Sequence, residues 1–297
     1  MPIGILFKDK YGYIREKMES GEAMVVTDLD GTLFQADRRI SRRNYQTLIE
    51  LKARGIVRVI ATGRNLFSAR KVLSPDFPID YLIFSSGAGI MAWPEQQLLF
   101  SASMSEAEVG AVFSSLHRRR LDFMVHFPIP QNHHFLYFPS GKPNPDFEAR
   151  CSLYSDFATA GRDGEPPAGQ ACQFVVIEPY YQSLSRHAEL REELSELTVL
   201  RTTSPLDGRS CWIEIFPESV SKSQASLAIA RTLAIHKQAV MAIGNDYNDL
   251  DLLRWAHRSF VVGNAPPELL ERFEAIRSTD ESDFSEAVVL WQREMHF

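Results

Sequence analysis

The sequence predicts an α/β protein, a doubly wound parallel sheet interrupted by an inserted α+β domain. Three observations carry that reading. First, short apolar runs end abruptly at polar turns, as Ala23-Met24-Val25-Val26-Thr27 does before Asp28 and Ile56-Val57-Arg58-Val59-Ile60-Ala61 does before Thr62. Strands buried on both faces have this pattern. Second, helical stretches alternate with these runs, which calls for parallel βαβ units. Third, the pattern turns from continuous to alternating between about residues 93 and 216 and then reverts. One sheet domain, residues 1–92 plus 217–297, is therefore expected to be split by a second domain at 93–216.

Residues 1–22 mix aromatics with charges without a period and read as an N-terminal arm. The first buried strand follows at 23–27. A helix is expected from about Ser41, with Tyr45, Leu48 and Ile49 on one face and Gly55 at its end. The second strand closes on Thr62-Gly63-Arg64, and the third, Tyr81-Leu82-Ile83-Phe84, ends at Ser85-Ser86-Gly87. In the insertion, Ser105 and Glu108 make a capping-box start for a helix carrying Val109, Val112, Phe113 and Leu116. Leu121, Phe123, Val125 and Phe127 alternate as in a half-exposed strand, with Phe135 to Phe138 as its hairpin partner. Further expected elements are a strand at Phe174–Ile177, a helix bearing Leu184, Leu190, Leu194 and Leu197, and a strand at Trp212–Phe216. Their alternation predicts a sheet with one face open. The tracts Pro139–Pro145 and Gly161–Gly169 read as loops. Beyond Pro217 come a helix after Lys222, strand Val240–Ile243, a helix, strand Phe260–Val262 and a helix after Pro266.

Composition narrows the function. The 297 residues are 44% apolar and 24% charged, as in an ordinary protein with a full core. A net charge of −6 argues against a general nucleic-acid binder. The three cysteines, Cys151, Cys172 and Cys211, form neither a C-x-x-C pair nor an even disulfide set. No run nears the roughly 18 apolar residues of a spanning helix. Lys8, Asp9 and Lys10 interrupt the N-terminus. The expectation is a cytoplasmic protein with reduced thiols and no membrane partner.

The chemistry is concentrated just past the first strand. Asp28 and Asp30 stand at its C-terminal end, where open α/β sheets place ligands. Two carboxylates so close repel, and a divalent hard cation would relieve them. Gly31 lets the chain turn, and the amides near Gly31 and Thr32 can face an anion. A solvated acidic turn is the plain alternative. A calcium loop is not, since its required Gly and Glu positions hold Leu33 and Arg39.

Asp28-Leu29-Asp30-Gly31-Thr32 resembles the first motif of the haloacid dehalogenase superfamily, and Ala61-Thr62-Gly63-Arg64 the second motif of its Cof-type sugar-phosphatase branch. Ser221-Lys222 resembles the third, and Gly244-Asn245-Asp246-Tyr247-Asn248-Asp249 the fourth, followed by Val262-Gly263-Asn264-Ala265. The resemblance implies a Rossmann-like core with a large inserted cap. It also implies a Mg2+-dependent phosphatase of small phosphate esters, sugar phosphates above all. Asp28 would be the nucleophile, Asp30 the general acid and base, Thr62 a donor to the phosphoryl group, and Lys222 its counter-charge. Substrate contacts would come from Gly31, Thr32, Gly63, Arg64, Ser86, Asn248 and Asn264. The metal would be held by Asp28, Asp30, Asn245 and Asp249. Asn245 stands where the family usually has Asp, so Asp246 is kept as an alternative ligand. Ser86 stands where the branch usually has Asn. A phosphomutase with the same nucleophile is the nearest rival, and a non-catalytic sugar-phosphate binding module a more distant one.

Three features are read more plainly. Arg118-Arg119-Arg120 is a solvated helix end. His133-His134 is better placed to touch substrate than to bind metal. Gly87-Ala88-Gly89 lacks the third glycine of a dinucleotide loop.

Overall fold

A computed structural model describes residues 23–35, 39–179, 183–276 and 282–295. The arm expected over 1–22 lies outside them. The first strands in chain order are β1 (Ala23–Thr27), β2 (Ile56–Ala61), β3 (Tyr81–Phe84), β4 (Gly89–Ala92) and β5 (Gln97–Ser101), with helices α1 (Arg42–Ala53) and α2 (Leu66–Arg70) between them. Next come α3 (Glu106–Arg118), β6 (Phe123–His126), β7 (Phe135–Phe138), α4 (Pro145–Leu153), β8 (Ala158–Ala160), β9 (Gln173–Glu178), α5 (Ser183–Glu193), β10 (Thr198–Thr203) and β11 (Cys211–Phe216). The chain closes with α6 (Lys222–Thr232), β12 (Val240–Gly244), α7 (Leu250–Trp255), β13 (Arg258–Val262), α8 (Pro267–Leu270), β14 (Glu274–Ile276) and α9 (Asp283–Met295).

Two compact units result. The first takes the described residues up to Arg64, Ser68–Phe100, and those from Ser221 onward. Its eight-stranded sheet runs β14-β13-β12-β1-β2-β3-β4-β5. The five pairings from β14 to β3 are parallel, and β4 turns back antiparallel on β3. β1 lies in the middle, buried at every residue. Its tip, where Asp28 begins, is thus flanked by the tips of β2 and β12. That explains the solid apolar runs: the central strands have no face toward water.

Local signals set the helix ends. Ser41 caps α1 by accepting from the Asn44 amide at 3.2 Å, and Gly55 follows with φ 69°. The expected face of α1 needs correction. Asn44, Leu48 and Leu51 are buried, whereas Tyr45 and Ile49 are exposed.

The second unit holds Asn65–Phe67 and Ser101–Val220, with a six-stranded sheet ordered β10-β11-β9-β6-β7-β8. The expected boundary at 93 falls too early, because β4 and β5 extend the first sheet; the later one, at 216/217, moves to 220/221. The hairpin of β6 with β7 is antiparallel in the expected pairing. The expected open face is not found. One face packs as Val109, Phe113, Leu116, Phe123, Phe174 and Leu190, and the other as Met124, Phe135, Phe147, Val175, Ile177 and Trp212. Phe147 belongs to α4, a helix not anticipated from the sequence, whose first residue, Pro145, falls within the loop expected over Pro139–Pro145. Asn144 caps it, accepting from the Phe147 amide at 3.3 Å, and Pro145 opens its first turn.

No helix among the described residues is long and apolar enough to cross a membrane.

Candidate active site

Asp28 leaves β1 with its amide donating to the Ile243 carbonyl at 2.9 Å, so the turn starts locked against β12. Its side chain is 8% exposed, and Oδ1 accepts from Lys222 Nζ at 2.6 Å. Lys222 is the first residue of α6, whose cap Ser221 accepts from the Gln224 amide at 3.2 Å. The ammonium is fully buried and also donates to Asp249 Oδ1 at 2.6 Å. Asp249 is equally buried, and its Oδ2 accepts from the amides of Asn245 at 2.9 Å and Asp246 at 3.1 Å. Residues 28, 222 and 249 thus meet through one lysine nitrogen.

Glycines make two of these approaches possible. Gly31 has φ 77°, and a Cβ there would stand 2.6 Å from Asn245 Nδ2. At Gly244 a Cβ would come within 2.6 Å of Asp249 Oδ2. Only glycine leaves room for that carboxylate over the end of β12.

Neighbouring loops complete the turn. Thr32 donates from Oγ1 to Asn245 Oδ1 at 3.3 Å, and Asn264 Nδ2 donates to the Gly31 carbonyl at 3.1 Å. β2 ends level with β1, Thr27 pairing with Ile60, so Thr62 stands at the neighbouring tip. Thr62 is buried, and its Oγ1 accepts from the Arg64 amide at 3.1 Å, leaving its own proton to donate. Gly63 faces Asn248 Nδ2 and Ser86 Oγ, which would lie 3.5 and 3.6 Å from a Cβ at that position. Ser86 is buried with φ 54°, in the left-handed region that Asn tolerates better than Ser.

The electrostatics of the cluster are uneven. Burial pushes the Asp28 carboxyl up, to about 8, with Lys222 opposing it and Asp249 and Asp30 adding to it. Burial alone would lower Lys222, but Asp249 and Asp28 outweigh it and hold the ammonium above the usual lysine range. Two carboxyl groups share one ammonium.

Three expectations for individual residues change. Asp30 does not crowd Asp28 for want of a cation: its carboxylate is 44% exposed and gripped by Arg64, Nε to Oδ2 and Nη2 to Oδ1, both at 2.6 Å. Arg64, expected to bind substrate, is taken up in that pair. Asp249 already carries three donors, so it braces Lys222 and the turn at 245–246 more than it offers a bare ligand. Asp246 accepts from the Asp249 amide as the cap of its own turn, whereas Asn245 faces Thr32. The sequence carried no signal for the Asp30–Arg64 pair, 34 residues apart. The importance of Gly244 was legible only as part of a motif.

His133 and His134 lie in the β6–β7 loop of the second unit, 4.4 Å apart between ring centroids, both against Phe157. Arg118 and Arg119 pair with Glu193.

Among the described residues no three His, Cys, Asp or Glu side chains gather into a metal cage. Magnesium needs none, since it keeps several waters and takes one or two protein oxygens. Asp28 Oδ2, which accepts no hydrogen bond from the described residues, and the Asn245 amide oxygen are a fitting donor pair.

Comparison with known proteins identifies the family and the fold. Residues 25–284 match the model of a family described as haloacid dehalogenase-like hydrolase. HMP-PP phosphatase of Cronobacter sakazakii is 26% identical over 243 residues, covering 82% of this chain and 85% of that protein. The putative phosphatase YxeH of Bacillus subtilis is 24% identical over 260 residues, covering 84% and 90%. A solved sugar phosphatase of HAD subclass IIB superposes with a TM-score of 0.69 at 18% identity, covering 92% of this chain and 99% of the other.

Proposed function

Because this chain belongs to the haloacid dehalogenase-like hydrolases, we propose that it is a Mg2+-dependent phosphatase of small phosphate monoesters, sugar phosphates above all. The observation that carries the reading is the buried Lys222 ammonium, held at 2.6 Å from both Asp28 and Asp249 at the tip of the central strand. Such a lysine presents a fixed positive charge beside a carboxyl group that burial pushes toward its neutral form, and it opposes that push.

In this reading an Asp28 oxygen attacks phosphorus and the ester P–O bond breaks. The departing alkoxide takes a proton from Asp30, leaving an aspartyl phosphate. Water then attacks phosphorus, gives a proton to Asp30, and inorganic phosphate leaves as the Asp28 carboxylate is restored. The Thr62 hydroxyl and the Lys222 ammonium hold phosphoryl oxygens, as preorganised donors do. Asp28 and Asn245 would hold the magnesium ion, with Asp249 as their brace; when bound, it supplies positive charge at the phosphoryl oxygens. The names of the curated and solved relatives, an HMP-PP phosphatase and a sugar phosphatase, support an ester of this size.

Phosphate release from an aryl phosphate by the purified protein, with magnesium and with chelator, tests the reading. Turnover is expected only with magnesium, and Asp28→Asn is expected to abolish it with the fold retained. Near wild-type rates in that variant would refute Asp28 as nucleophile.

A further inference from the structure

Arg64 is expected from the sequence to contact the phosphate ester, yet its guanidinium is already engaged. The fork closes on Asp30 through two parallel bonds of 2.6 Å, with Nη1 reaching the Ser68 carbonyl at 3.4 Å. Its backbone is held as well. The amide donates to Thr62 Oγ1 at 3.1 Å, and the carbonyl accepts from the Ser85 amide at 2.8 Å. The arginine is only 18% exposed in its side chain, whereas Asp30 is 44% exposed. The better-anchored partner therefore fixes the freer one, and a bidentate fork sets the direction of a carboxylate as well as its place.

We propose that Arg64 is a positioning residue for Asp30, aligning the carboxylate for proton transfer, and does not itself bind the ester. The inference rests on the reading of Asp30 as general acid and base. In Thr62-Gly63-Arg64 the hydroxyl then serves the phosphoryl group, while the guanidinium two residues on serves the proton donor. One tight turn at the tip of β2 sets both.

The test is kinetic, with kcat/KM measured for glycerol 2-phosphate and for 4-nitrophenyl phosphate. That parameter covers only the steps up to the aspartyl phosphate, and the second ester has a leaving group that hardly needs a proton. Arg64→Ala is expected to lose about tenfold or more on the alkyl ester and less than about threefold on the aryl ester. Its KM should change little on either. In an Asp30→Asn background, Arg64→Ala should cost nothing further, because residues acting as a unit are not additive. Arg64→Lys, which keeps charge but not the fork, should fall between, and it replaces Arg64→Ala in the cycle should the latter not fold. Equal losses on both esters through a raised KM would overturn the proposal in favour of substrate binding. An undiminished loss in the Asp30→Asn background would overturn it too. If the wild type turned over neither ester, the phosphatase reading itself would fall and this proposal with it.

Discussion

Both units bury strongly basic side chains, and two of them, Lys222 and Arg150, are treated in opposite ways. Lys222 in the first unit touches two carboxylates at 2.6 Å. Arg150 in the second forms no ion pair with a carboxylate among the described residues. Its guanidinium lies 4.1 Å from the Trp212 ring centroid and 5.5 Å from that of Tyr154, with Nε toward Met124 Sδ at 3.2 Å and Nη2 toward His126 Nε2 at 3.4 Å. Burial lowers the Arg150 pKa from its ordinary value, whereas Lys222 is held above its own. Arg150 is thus a packed side chain that happens to carry charge, supported by ring faces. Lys222 is a charge kept in place by geometry, and geometry of that kind suits phosphoryl transfer.

The contrast can be broken most forcefully at Lys222. Lys222→Met leaves Asp28 and Asp249 buried without their counter-charge. It should lower stability by about 3–5 kcal/mol and turnover by about 10²–10³, as read by chemical denaturation and phosphate release. Gly244→Ala attacks the same cluster from below. The added methyl would collide with the Asp249 carboxylate, so Asp249 must move away from Lys222. A stability loss of about 1–3 kcal/mol is expected, with turnover falling further than that loss explains.

A pH experiment sharpens the comparison from the other side. Burial, then Arg150, push His126 down to about 3 from 6.5, against a hydrogen bond from its Nδ1 to the Asn132 carbonyl at 2.9 Å. Between those values the unfolded chain binds the proton that the folded one refuses, so stability falls as pH drops below 6.5. At pH 5 the loss is about 2 kcal/mol. His126→Asn should flatten that dependence between pH 7 and 5 in urea melts. An unchanged slope would show that His126 takes up its proton in the folded state. The smallest effect belongs to Arg150→Met. An apolar side chain of similar length should change stability by no more than about 1–2 kcal/mol in either direction, against the large loss at Lys222. A loss at Arg150 as great as that at Lys222 would erase the distinction.

Legibility in the sequence followed the same division. In the first unit, β1, β2, β3 and β12 were readable because central strands buried on both faces leave solid apolar runs with polar tips. Those tips carry Asp28, Thr62, Ser86 and Asn245. In the second unit alternation misled. Met124 and His126 look outward in sequence, but α4 covers them, and that helix was hidden behind Pro139–Pro145 despite the Asn144 cap and Pro145 at its start. The strands β4 and β5 were missed because neither run is long or continuously apolar. Within the site, the sequence named the residues but not their partners. Asp30 and Arg64 each read as facing the ester, and only their side-chain directions reveal that they face each other. Asp249 read as a metal ligand, but its occupation by Lys222 and two amides depends on the tight turn after Gly244, which no periodicity encodes.

The central claim is that Asp28 itself takes the phosphoryl group. Rapid acid quenching of wild type during turnover of an aryl phosphate, followed by digestion and mass spectrometry, tests it most directly. The account predicts one phosphoryl group on the peptide carrying Asp28, lost on hydroxylamine treatment and absent from Asp28→Asn. A phosphoryl group on another residue, or continued turnover by Asp28→Asn, would contradict it.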